Sequence, residues 1–129
     1  MSKETDRMKK FETMMWKYIP GNNIELMEWL RVNGFFTAPA SANHHGNYEG
    51  GLFDHSYAVA ETLAALTKDN DFIWTSSRSP YIVGMFHDLC KIDQYLISMD
   101  GYERNKKCLL DGHGDKSIMI LAQHMQLTE

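Results

Sequence analysis

The stretch Ser79-Pro-Tyr-Ile-Val-Gly-Met-Phe-His-Asp-Leu-Cys90 decides the fold. Ser79 is placed to cap a helix. Pro80, at the first helical position, gives up an amide hydrogen that has no partner there anyway. From Tyr81 to Cys90 the run is apolar on nearly every side, which predicts a central helix covered by neighbours rather than a surface helix with one apolar stripe. Its neighbours are legible as helices too. Met8, Phe11, Met15 and Tyr18 recur at helical steps over about Glu4 to Tyr18 before Pro20-Gly21 stops the run. Asn23 is a candidate cap for a short helix carrying Ile24, Met27, Trp29 and Leu30, with Asn33-Gly34 as its left-handed exit. Leu52, Val59, Leu63 and Leu66 form a stripe on a helix from about Leu52 to Thr67, with His55 and Thr62 on its edge, so His55 is expected to point inward or nearly so. A last helix is expected from about Asp115 through Ile118, Leu121, Ala122 and Met125.

The fold class is therefore all-α, a single bundle of about five helices over residues 1–129. Two stretches escape that pattern. Between Phe35 and Gly51 periodicity gives way to Pro, Ser, Asn and Gly; this is either a functional loop or a surface loop wedged in place by Phe35 and Phe36. After Tyr95, Asp100-Gly101 is a turn signal for a small hairpin, although the alternation is poor and an irregular excursion fits equally.

Asp88 carries the most chemical information. On the central helix it shares a face with Tyr81, Met85 and Ile92, a direction that leads into the core, and an ionised carboxylate there needs a cation or several donors. His87 lies beside it. Adjacent helical residues diverge by about 100°, yet both side chains can converge on one ion, particularly near a loosened turn. His55, from another helix, is the natural third ligand. Histidine and carboxylate donors without a thiolate cluster suit an open Zn, Mn, Fe or Co site rather than a closed structural zinc. Position alone also fits a buried His87–Asp88 hydrogen-bonded pair with His55 as a core-edge histidine.

The composition sets outer limits. A chain of 129 residues, 43% hydrophobic and 23% charged with three prolines, is ordinary for one globular core. A net charge of -4 excludes general coating of duplex DNA. No window has the apolar length of a membrane span and no leader is visible, which makes a cytoplasmic setting the default. Cys90 and Cys108 have neither zinc-knuckle nor redox spacing and are read as reduced thiols, Cys90 as a packing residue. Arg104, Lys106 and Lys107 form either a grip for a polyanionic substrate or a solvated basic strip.

The order His55, then His87-Asp88 after 32 residues, resembles the HD superfamily, whose members bind metal with a lone His, a His-Asp dyad and a distal Asp. The longer strings extend the likeness: Gly34-Phe-Phe-Thr-Ala-Pro-Ala-Ser41, His45-Gly-Asn-Tyr-Glu-Gly-Gly-Leu-Phe-Asp-His55-Ser56, Phe86-His-Asp-Leu-Cys-Lys91-Ile92 and Gly112-His-Gly-Asp-Lys-Ser117. Together they look like a bacterial and phage subgroup of HD domains and, more loosely, the HD part of certain 3'-5' exoribonucleases. The likeness spans about Gly34 to Glu129, roughly three quarters of the chain.

The resemblance implies a phosphohydrolase dependent on one or two divalent ions (Mn, Fe, Zn, Co or Mg), acting on a phosphorylated small molecule or a short oligonucleotide. It assigns the first ion to His55, His87 and Asp88, and a second to His113 with Asp88 bridging. Lys91 becomes the lysine of the His-Asp-x-x-Lys pattern, one turn beyond His87, that balances phosphate charge, and His45 a residue near the substrate mouth. For Lys91, His45 and His113 the residues alone also fit a solvated helix-end lysine and ordinary loop or cap histidines. Family members continue past Leu127-Thr-Glu129 into a helix bearing a further His and the distal Asp, and His124 does not align as a replacement. The expectation is that the 129 residues alone hydrolyse phosphoesters feebly or not at all, the chain being a fragment or a natural short form, or a partner, a homo-oligomer included, supplying the missing ligands. The competing expectation is a binding or assembly module that keeps the fold and some metal affinity without chemistry.

Overall fold

The computed structural model describes residues 3–19, 23–40, 48–71, 73–74, 76–93, 95–98, 101–104 and 114–122. Helix α1 spans Lys3–Tyr18, α2 Ile24–Val32, α3 Gly51–Asp69, α4 Ser79–Phe86 and α5 Gly114–Ala122; a 3₁₀ turn covers Leu89–Asp93. Strands β1 (Tyr95–Ser98) and β2 (Gly101–Arg104) form an antiparallel hairpin in the register Tyr95↔Arg104 to Ser98↔Gly101. The architecture is the expected all-helical bundle. The hairpin alternative for the segment after Tyr95 is also the observed one, with its two-residue connection one position earlier than Asp100-Gly101.

Each helix forms for a readable reason. Glu4 and Asp6 in the first turn of α1 and Lys17 in its last complement the helix dipole, while Phe11, Met14 and Met15 are buried. In α2 the buried residues are Leu26 and Leu30, and its exit is a Schellman motif. Gly34 adopts φ +88°, its N–H donates to Arg31 at 3.4 Å, and the Phe35 N–H donates back to Leu30 at 2.9 Å. That turn drives Phe35 and Phe36 into the core. There they meet Phe11, Phe53 and Phe86, with neighbouring ring centroids 5.3 to 6.3 Å apart, mostly edge to face. Phe53 and Phe86 lie two residues and one residue before His55 and His87, so a single aromatic cluster anchors both arms of the site described below. Of the 35–51 segment, Phe35 and Phe36 are core rather than loop wedges, and residues 41–47 lie outside the described residues.

Several local expectations change. Asn23 makes no side-chain cap; its Nδ2 donates backwards to the Ile19 carbonyl at 2.9 Å. Ser79 is already helical and Arg78 holds the cap position, one residue earlier than the Ser-Pro pair indicates. The buried face of α3 is Leu52, Phe53, Ser56 and Ala60, rotated from the Leu52–Val59–Leu63–Leu66 stripe; Leu66 is 47% exposed. Phe53 causes the rotation, because the aromatic cluster draws it in and turns the later leucines outward. The central helix stops at Phe86 instead of running to Cys90. The observed α5 starts at Gly114, and the expected extension to Met125 falls outside the described residues.

Candidate metal centre

The α3 arm is set by a clamp at its first turn. Arg7 of α1, with its side chain 11% exposed, donates from Nε to Asp54 Oδ1 at 3.0 Å, and the Tyr48 hydroxyl donates to Asp54 Oδ2 at 2.8 Å. Gly50, at φ +88°, makes room for this clamp, since a Cβ there would fall 2.0 Å from the Arg7 guanidinium carbon. His55 follows Asp54. At about 100° per residue it stands on the rim of the buried Leu52–Ser56 face, and its side chain is 43% exposed. It keeps the edge position expected of it but is more exposed than an inward-pointing residue, standing at the mouth of the site with its Nε2 3.3 Å from Asp88 Oδ2.

The α4 arm depends on a close helix crossing. A Cβ on Gly84 would sit 2.4 Å from the Ala60 Cα and 2.8 Å from its nitrogen, so the backbones of α3 and α4 touch there through two small residues. Three residues on, the His87 Nδ1 lies 2.8 Å from the Gly84 carbonyl. A carbonyl only accepts, so Nδ1 carries the hydrogen and Nε2 is directed at the site. Beyond His87 the helix tightens: the Lys91 N–H donates to the Asp88 carbonyl at 2.9 Å, the i→i+3 step of a 3₁₀ turn. This change of helical turn lets two consecutive residues aim at one point.

That point is Asp88 Oδ2. His87 Nε2 stands 3.1 Å from it, His55 Nε2 3.3 Å and Lys91 Nζ 3.6 Å. Asp88 is 7% exposed and forms the floor of the site. Burial alone would raise its carboxyl; the hydrogen bond from His87 and the charges of His87, Lys91 and His55 outweigh it and hold the group well below the usual carboxylate range. The same hydrogen bond to Asp88 raises His87 above the ordinary imidazole value against the opposing pull of burial, helped by the Gly84 carbonyl. With Nδ1 committed to Gly84, Nε2 and Oδ2 at 3.1 Å need a proton or a cation between their lone pairs.

The donor set fits a cation. His55, His87 and Asp88 offer ligand atoms that all lie within 4.8 Å of one another, and among the described residues this is the one such group of His, Cys, Asp or Glu side chains. Donors bound at about 2.0–2.2 Å stand roughly 3.0 to 3.5 Å apart in octahedral or tetrahedral geometry, which brackets the 3.1 and 3.3 Å separations here. The three side chains can hold one metal ion.

Other residues singled out in the sequence are not all placed. Lys91 is at the site, its side chain 16% exposed. Arg104 closes β2 opposite Tyr95, while His45, Lys106 and His113 lie outside the described residues. Cys90 is buried and takes no part in a disulfide, as a packing residue should be. Sequence reading missed Arg7, Asp54 and Gly84, which act through contacts 47 and 24 positions away, from Arg7 to Asp54 and from Gly84 to Ala60. Gly84 inside an apolar helix was the one available signal of a close crossing. No helix among the described residues is long and apolar enough to cross a membrane. Compared with known proteins, the chain has no significant match to a family model, a curated protein or a solved structure.

Proposed function

We propose that this chain is a divalent-metal-dependent phosphohydrolase of the HD type, acting on a phosphoester of a nucleotide or short oligonucleotide. The observation that carries the reading is the convergence of His55, His87 and Asp88 beside Lys91, in a site with a buried anionic floor and an exposed histidine at its mouth. The order of the motifs around these residues supports it. An all-nitrogen-and-oxygen donor set suits Mn, Fe, Zn, Co or Mg. A bound divalent ion would acidify water and neutralise a phosphoryl group.

The chain's own residues divide the remaining tasks. Asp88 supplies the negative charge and shares one oxygen among His55, His87 and Lys91. Gly84 fixes the His87 tautomer, leaving Nε2 as the ligand. Lys91 Nζ, 3.6 Å from the carboxylate, is placed to hold a non-bridging phosphoryl oxygen. In the same reading His113 serves a second ion, and His45, Arg104 and Lys106 contact the substrate.

The test is hydrolysis of bis-p-nitrophenyl phosphate, p-nitrophenyl phosphate and short oligonucleotides with Mn²⁺, Co²⁺ or Zn²⁺. It uses this chain and, in parallel, the chain with any sequence that follows it in its reading frame. Turnover that depends on metal and disappears in D88N is expected, feeble or absent from the 129 residues alone and stronger where following sequence or a partner completes the site. Metal-loaded protein without Asp88-dependent turnover in either form would favour the binding-module reading instead.

A further inference from the structure

The break between α4 and the 3₁₀ turn leaves two backbone groups to satisfy in a buried place. In a continuous helix the His87 carbonyl would accept the Lys91 N–H, but that amide goes to Asp88. The Cys90 N–H sits on the same tightened turn. Both groups are met by one hydroxyl: the Cys90 N–H donates to Ser117 Oγ at 3.0 Å, and Ser117 Oγ donates to the His87 carbonyl at 3.2 Å. Ser117 is buried, belongs to α5, and is 30 and 27 residues away from the groups it joins.

We propose that Ser117 is the positioning residue of the metal centre: its hydroxyl bridges the His87 carbonyl and the Cys90 amide and so holds the helix break that turns His87 and Asp88 toward one point. The inference rests on the metal-site reading. Without the hydroxyl, a half-buried carbonyl and a buried amide lose their partner, a cost the turn escapes by sliding back toward regular helix, in which His87 and Asp88 diverge again. Ser117 touches neither an ion nor a substrate in this scheme and acts through the backbone of the ligands. A small side chain with one donor and two lone pairs is what the position needs, and serine and threonine alone supply it.

The test is Co²⁺ titration, followed by visible absorption and calorimetry, of the wild type, S117A, S117T and S117V, with L121A as control. Threonine and valine share a shape and differ in the hydroxyl, so that pair decides the matter even if S117A does not fold. Leu121, one turn along the same buried face of α5, is an apolar core residue with no hydroxyl to bridge the break. Circular dichroism gates every variant. S117A and S117V are expected to bind Co²⁺ about 10- to 100-fold more weakly, in the range seen when a ligand's supporting hydrogen bond is removed, with a changed absorption envelope. S117T should stay within about threefold of wild type, and L121A should lose stability while keeping the wild-type spectrum and affinity. Equal affinity for S117T and S117V, or an L121A loss as large as that of S117V, overturns the role of Ser117 alone. A wild type that binds no Co²⁺ overturns the metal reading and the positioning role together.

Discussion

Replacing Gly84 with alanine tests whether the helix crossing sets the site. Two opposing effects have to be weighed. Alanine is favoured over glycine inside a helix by about 0.8–1.0 kcal/mol. Against this, the new Cβ would lie 2.4 Å from the Ala60 Cα, 2.8 Å from its nitrogen and 3.0 Å from its Cβ. Carbon atoms in contact prefer about 3.5–4.0 Å, so the two backbones must separate by more than about 1 Å at that point. Neither can rotate a side chain out of the way, which puts the cost at or above the roughly 1–3 kcal/mol of ordinary overpacking. The clash wins, with a net loss of about 1–2 kcal/mol, or roughly 3–8 °C in Tm for a chain of this size. The larger effect falls on the site. Two donors sharing an ion at about 2.2 Å stand at most about 4.4 Å apart, and the three ligand atoms lie within 4.8 Å of one another, so the two arms have to draw slightly together to grip an ion and have no slack for moving apart. Another ångström between α3 and α4 carries His87 away from His55 and should weaken Co²⁺ binding at least tenfold. Adding A60G removes only the Cβ contact and should rescue little, because the closest atoms are backbone. A G84A protein as stable as wild type with unchanged Co²⁺ affinity, or full rescue by A60G, would refute this account of the crossing.

Three further outcomes are expected. D88N should abolish metal retention measured by elemental analysis and lower stability in EDTA by about 1–3 kcal/mol, since His87 and Lys91 lose a charged partner; undiminished metal content would remove Asp88 from the site. In EDTA, the raised His87 contributes stability that is fully present below the ordinary imidazole value and lost as pH rises through its folded value, whereas the depressed Asp88 contributes above the ordinary carboxylate value and is lost on acidification. Thermal midpoints should therefore fall on both sides of a maximum between those ranges, with the alkaline slope gone in H87N, while Co²⁺ affinity should rise with pH as the proton on His87 stops competing. G50A should cost about 1–2 kcal/mol in chemical denaturation through its left-handed backbone, and R7A in the G50A background should recover only the part due to the guanidinium clash; complete recovery would contradict the backbone share.

The helices were legible because their signals are local. Apolar steps, Pro20, Asn33-Gly34 and Ser79-Pro80 act within a turn of where they stand, and α1 to α5 fall within a few residues of where those signals put them. The three candidate ligands were legible for a different reason: position alone fitted an inert hydrogen-bonded pair as well, and it was the order of the motifs around His55 and His87-Asp88 that singled them out, while the structure adds that their ligand atoms converge. What could not be read was rotation and interruption. The phase of α3 is set by Phe53 competing with Leu63 and Leu66 for a core whose other members come from α1 and the Phe35-Phe36 turn. The end of α4 at Phe86 depends on a hydroxyl 30 residues later in the chain. Both are decided by tertiary partners, and single-residue propensities carry no trace of them.

The spacing of the ligands has one more consequence. His87 and Asp88 are neighbours, but His55 precedes His87 by 32 residues, so an ion gripping all three ties a loop that contains most of α3 and the whole of α4. A covalent tie closing a loop of that length removes chain entropy worth roughly 3–4 kcal/mol from the unfolded ensemble. A coordinated ion acts in the same direction to the extent of its occupancy, by RT ln(1 + [L]/Kd). Filling the site and keeping the bundle folded would then be one equilibrium. The concentration of available metal would set how long the chain survives heat and proteases as well as whether its site is charged.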